Sequence, residues 1–168
     1  MTETSKKPFK SAEDIKQEQI QKTNAFNRFL LFRYSLPVFF FANLYWLIIQ
    51  LTHLSVYILL PIVMVALMVA AFAEQVTLFG KTDISLKLTK RALLAQRVMN
   101  LLVMGLLLVG QGHSLFPIFS TVSQTLIALI LIQLAGLVII SYNLRRIGQI
   151  EHNCDPYYYR FQKIKQSY

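Results

Sequence analysis

Two histidines in uncharged surroundings, His53 and His113, and a third two positions before the only cysteine, in EHNCDPYYYRF at residues 151–161, are the side chains best suited to metal ligation or nucleophilic chemistry. Imidazole is a common metal ligand and a general base near neutral pH, and a cysteine thiolate is both ligand and nucleophile. Each grouping supplies only a pair of ligands, and a structural zinc site is normally closed by four. No carboxylate stands near His53 or His113, so a set there would need Gln111, water or a second subunit. No second such pair lies near His152 and Cys154 to complete theirs, and a cysteine close to a membrane is equally a site for acylation. The chain also lacks GxSxG, HExxH, CxxC, a phosphate-cradling glycine loop and a pair of aspartates at helical spacing for Mg²⁺. Catalytic, cofactor-binding and metal-binding residues are therefore expected to be absent, and with them cofactors.

The remaining chemistry is that of neutral amides. Asn43, Gln50, Asn100, Gln111 and Gln133 interrupt long apolar stretches. Lipid cannot satisfy a carboxamide, whereas a facing helix can, and such interhelical bonds are worth about 0.6–2 kcal/mol each. These residues are candidates either for intramembrane polar packing or for lining the pathway of a neutral solute.

The elements that must position them follow from composition. The 168 residues are 55% apolar and only 15% charged, too greasy for an ordinary soluble domain. Uncharged stretches near the ~20 residues needed to cross a bilayer fall at 34–52, 55–73, 98–117 and 122–142. The expected fold is an all-α integral membrane protein, an antiparallel four-helix transmembrane bundle with cytoplasmic N- and C-terminal helical arms. On these boundaries the domains are an arm at 1–33, the spans with a loop at 74–97, and a tail at 143–168. No ionisable residue falls in the middle of any span; Glu74 and Arg97 bracket the loop, where each reaches the interface or pairs with the other.

Stripes at helical spacing indicate which faces turn inward. They run through Phe39, Asn43, Trp46, Gln50 and His53 in the first span, Gln96, Asn100, Leu107 and Gln111 in the third, and Gln133, Gly136, Ile140 and Asn143 in the fourth. Ala66, Ala70 and Ala73 offer a small-residue face on the second. Pro37 is expected to kink or restart the first helix, and Ser55 and Thr121 to cap the second and fourth.

The net charge of +9 is confined to three blocks. Residues 1–33, 74–97 and 145–168 carry seven, five and five of the lysines and arginines, and the other two connections carry none. The positive-inside rule then puts both termini and the central loop in the cytoplasm. Basic residues beside helix ends attract anionic lipid and set topology, which displaces nucleic acid as the partner implied by the charge. Acids interspersed at Glu3, Glu13, Asp14 and Glu18 disfavour a mitochondrial presequence and favour a bacterial plasma membrane. After Arg145 and Arg146, Pro156 ends any helix; Tyr157, Tyr158, Tyr159, Arg160, Lys163 and Lys165 have the aromatic and basic composition of an interfacial anchor or cytoplasmic contact surface.

In helix count the chain resembles the small multidrug-resistance exporters. Those depend on a glutamate in the first helix, where this chain has Asn43 and Gln50, and that departure argues against membership. Its layout is also similar to small accessory membrane subunits beside bacterial permeases and cell-envelope complexes. The expectation is a non-enzymatic accessory, scaffold or regulatory subunit whose partners are membrane lipid and an integral membrane protein or further copies of itself. The alternative is a small permease, or a transporter component, for a neutral solute such as a sugar.

Overall fold

A computed structural model describes residues 15–16, 19–20, 23, 27, 29–77, 86–119 and 123–152. Among these residues every regular element is helical, and four helices are long and apolar enough to cross a membrane. They are α1, Leu30–Gln50; α2, Leu59–Thr77, entered through a 3₁₀ turn at Val56–Ile58; α3, Lys87–Leu108; and α4, Ser123–Glu151. A single helical turn, Gly112–Leu115, lies between α3 and α4. Pro37 is contained within α1, which continues past it to Gln50. α1 packs mainly on α2, α2 on α3 and α3 on α4, while α1 and α4 touch over a shorter length.

The third helix departs from the expected span at 98–117 mainly at its far end, since TDISLKLTKRALLAQR at 82–97, with Thr82 or Asp83 as its cap, also reads as a helix leading without interruption into that span. α2 continues through Glu74 and Gln75 to Thr77, and α3 already begins at Lys87. Its start has no cap from its own flank. Glu74 of α2 supplies one: Oε1 accepts from the backbone N–H of Leu88 at 2.9 Å, and Oε2 from the N–H of Thr89 at 2.6 Å and its hydroxyl at 2.8 Å. A carboxylate at this end satisfies orphan donors and opposes the helix dipole. Glu74 therefore closes the α2–α3 connection through backbone amides, not through Arg97, which is the eleventh residue of α3.

The other end of α3 stops at Leu108 because Gly110 adopts φ +88°, a left-handed conformation that glycine tolerates. Its N–H donates to Leu107 O at 3.1 Å and that of Gln111 to Leu106 O at 3.0 Å, the paired bonds of a Schellman ending. Residues 109–117 therefore fold back over the bundle instead of extending the span. α4 is longer than the expected 122–142, with no break at Asn143 or at the arginines, and at ~1.5 Å per residue its 29 residues measure about 43 Å. Ser55 begins the 3₁₀ turn without capping it by its side chain. Thr121 lies outside the described residues.

Two apolar clusters hold the helices together. Toward the end that bears Arg33, Lys87 and Arg145, Phe29, Phe32 and Leu36 of the α1 region meet Met64 and Met68 of α2, Leu86 and Leu93 of the α3 region, and Ile147 and Ile150 of α4. Toward the uncharged end, Trp46 joins Val103, Leu107, Leu115 and Phe116. The buried edge of α2 runs through Pro61, Met64, Met68, Ala71 and Gln75, whereas Ala66 and Ala73 are exposed. The alanine stripe is thus not the packing face: methionines bury more area and adapt to irregular gaps, so the helix turns them inward.

Removing the Glu74 carboxylate should unfasten the start of α3. Glu74→Ala is expected to cost about 1–2 kcal/mol in detergent unfolding. Amide exchange should quicken at Leu88 and Thr89 before it does in mid-helix, and unchanged protection there would show that the cap is dispensable.

Candidate functional site

Between the two apolar clusters lies a directed chain of carboxamides that joins three helices. Asn43 Nδ2 carries two hydrogens; one goes to Phe39 O a turn back on α1 and the other to Gln96 Oε1 of α3, each at 2.7 Å. Gln96 Nε2 donates to Asn100 Oδ1 at 2.9 Å, and Asn100 Nδ2 points to the backbone carbonyl of Gln133 on α4 at 3.4 Å. Asn43, Gln96 and Asn100 are buried. Each amide accepts from one neighbour or donates to the next, so the chain polarises in one direction and reinforces itself at low dielectric.

Gly136 is what lets Asn100 reach α4. A methyl group on Gly136 would stand 2.5 Å from Asn100 Nδ2 and 3.9 Å from a ring carbon of Phe39. The missing side chain thus makes room for the point where α1, α3 and α4 converge, as small residues do between membrane helices.

Further polar contacts flank this layer. Two turns toward the basic end, Ser35 Oγ donates to Asn143 Oδ1 at 2.8 Å, linking α1 to α4, and Asn143 Nδ2 donates to Ile139 O at 2.8 Å. At that end Gln75 Nε2 donates to Thr89 Oγ1 at 2.9 Å, and Lys90 pairs with Glu151 at 2.7 Å. At the uncharged end Trp46 Nε1 and Gln50 Nε2 both donate to Leu115 O, at 3.0 and 3.3 Å, and Ser55 Oγ stands 3.2 Å from Gln50 Oε1. Phe116 stacks on Trp46 with ring centroids 5.8 Å apart.

The sequence candidates divide accordingly. Asn43, Gln50 and Asn100 are buried and hydrogen-bonded as the inward stripes require. Gln133 contributes its backbone carbonyl to the amide chain, and its side chain is half-buried. Gln111 lies exposed in the turn after α3, outside the amide layer, because the helix ends before it. Arg145 is exposed and Arg146 donates to Gln149 Oε1 at 3.2 Å, both within α4. Tyr157, Tyr158, Tyr159, Arg160, Lys163, Lys165 and Cys154 lie outside the described residues.

Sequence reasoning did not single out Ser35, Gln75 and Thr89. The signal for Ser35 was present, since it extends the Phe39, Asn43, Trp46, Gln50 stripe by one more turn. Gln75 likewise ends the stripe of Met64, Met68 and Ala71. His53 and His113 do approach one another, edge to face with ring centroids 6.1 Å apart, and both are exposed. Among the described residues no three or more His, Cys, Asp or Glu side chains come together as a metal-binding group. The arrangement's chemistry is recognition of amide by amide.

A double-mutant cycle tests that contact. Gly136→Ala is expected to destabilise the folded protein by about 1–3 kcal/mol, because Asn100 must leave its seat. In an Asn100→Ala background, itself costing about 0.6–2 kcal/mol, the same change should be neutral or stabilising. Strict additivity in detergent unfolding would show that the two residues do not share a site.

Comparison of the chain with protein-family models, curated proteins and solved structures finds no match in any of them.

Proposed function

We propose that this chain is a small multi-pass protein of the bacterial plasma membrane that acts as a non-enzymatic accessory, scaffold or regulatory subunit of a membrane complex. The pairing of the buried amides carries this reading. A solute pathway needs polar groups open to exchange with a passing ligand, whereas Asn43, Gln96 and Asn100 are bound to one another across helices. Their bonding supports packing over permeation.

Charge distribution supports the orientation. All the lysines and arginines except Arg97 fall in residues 1–33, 81–91 and 145–168, so the positive-inside rule puts both termini and the α2–α3 connection in the cytoplasm. The helices then alternate in direction as an antiparallel bundle. Consistent with this, partners on α4 fall from Glu151 to Gln133 as positions on α3 rise from Lys90 to Asn100. The cytoplasmic arms, including Arg145, Arg146 and the aromatic and basic tail at 157–165, would provide the surface for lipid and for partner protein.

Purification in mild detergent tests the role. The expected product is an assembly heavier than the 19.4 kDa chain, containing at least one other membrane protein; a lone monomer with native helicity would overturn it. Uptake of a neutral solute that falls in Asn100→Leu at normal expression would favour the permease reading instead.

A further inference from the structure

Although hydropathy alone puts no ionisable residue in mid-span, the early start of α3 leaves Arg97 halfway along a helix long enough to cross a membrane. Gln96, its neighbour, bonds to Asn43, which stands thirteen residues after Leu30 and seven before Gln50 on α1. Along α3, Arg97 is about 15 Å from Lys87 and about 16 Å from Leu108 at ~1.5 Å per residue, in a hydrocarbon layer of about 30 Å. A hydrocarbon layer centred on α3 therefore has the Cα of Arg97 near its midplane.

Gln96 turns into the bundle, so Arg97 turns out of it and is exposed. Helical side chains lean toward the N-terminus, here the basic end, but the stem of an arginine is too short to bring its guanidinium level with Lys87. The only carboxylates among the described residues are Glu74 and Glu151, and both are engaged at the basic end, with Thr89 and with Lys90. The Arg97 side chain makes no hydrogen bond or ion pair with another described residue. An unpaired cation in hydrocarbon is costly, and such residues normally face a partner.

Its surroundings fit a helix. Leu94, Arg97, Leu101, Gly105 and Leu108 recur every three or four residues on one exposed face of α3. Nothing lies within 4 Å of where a Cβ on Gly105 would be, so another backbone can approach closely there. A second copy of this chain is a poor occupant, since it would bring another Arg97 and no mid-span acid.

We propose that this face of α3 docks a transmembrane helix of a different protein carrying one Asp or Glu at the level of Arg97. The inference rests on the accessory-subunit role and names the chemistry of its partner. A carboxylate accepts the guanidinium's parallel N–H donors in a fork, and in a low dielectric that pair is both strong and selective.

The test uses the full chain with a donor fluorophore in zwitterionic phosphatidylcholine vesicles, and leucine–alanine transmembrane peptides with an acceptor and a central Glu, Gln or Leu. The Glu peptide should associate about tenfold more strongly than the Leu peptide. That preference should vanish in Arg97→Leu and Arg97→Gln, partly survive in Arg97→Lys, and weaken in Gly105→Leu, where the arginine is intact. Equal association of all three peptides, or a preference unchanged in both neutral variants, would overturn the proposal. So would an Arg97 effect seen only as binding to vesicles containing phosphatidylglycerol, which would assign the arginine to lipid phosphate. In cells, a native complex that survives Arg97→Leu sinks this surface and leaves the accessory role standing; a wild-type chain that purifies alone removes the role itself.

Discussion

The hydrogen bond between Asn43 and Gln96 fixes the register on which the rest of the bundle depends. In hydrocarbon an amide finds no partner in the solvent, so Asn43 and Gln96 are tolerable only when opposite one another. Apolar contacts alone permit helices to slide by a turn with little change in buried area. A directional bond at 2.7 Å between side chains 53 positions apart does not. Once α1 and α3 are set, Asn100 falls opposite Gly136 and Gln133, and Ser35 opposite Asn143, so α4 takes its height from the same layer.

The ends of the helices are arranged so that this layer can form. Had α3 begun near residue 98, Gln96 would have been in a connection and Asn43 buried without its partner. Glu74 prevents this by receiving the first amides of α3, which lets the helix start at Lys87. At the opposite end the left-handed Gly110 stops the helix, and Leu115 and Phe116 come back onto Trp46, whose indole N–H would otherwise lack an acceptor. The Gly110 ending exchanges a longer helix for a satisfied polar atom, as expected where an unsatisfied donor costs more than a turn of helix contributes.

Much of this was legible in the sequence because the signals are local. Uncharged stretches of the right length gave the number of helices, and the 3.6-residue period put Asn43, Gln50 and Asn100 on the inward faces. The limits of α3 were not legible from the same signal. Hydropathy averages over a window, so the apolar VGQGHSLF run after Leu108 read as membrane, while the charged run up to Arg97 read as a helix leading into the span but lying outside it. What decides the matter is conformational: a glycine with positive φ, and a capping carboxylate supplied from another helix. Neither belongs to the segment it controls. The α2 face was misjudged for a related reason, since small size marks a residue that permits approach but does not say which face has something to approach.

Gln96 and Arg97 are consecutive, so a single register determines the surroundings of both. The bond that gives Gln96 its partners within the chain rotates Arg97 about 100° away from them, as helical geometry at 3.6 residues per turn requires. Sliding α3 toward the basic end would carry the arginine that way and break the amide layer; keeping the layer keeps the arginine level with the middle of α1. The bundle is thus internally satisfied in its polar centre, and one residue away the Arg97 side chain is exposed. A protein selected only to be stable alone would have no reason to keep a charge at that position, where leucine would face lipid without cost. The asymmetry is intelligible if the isolated chain is one part of a larger membrane assembly, with the register that closes its own core also presenting the group by which it is joined.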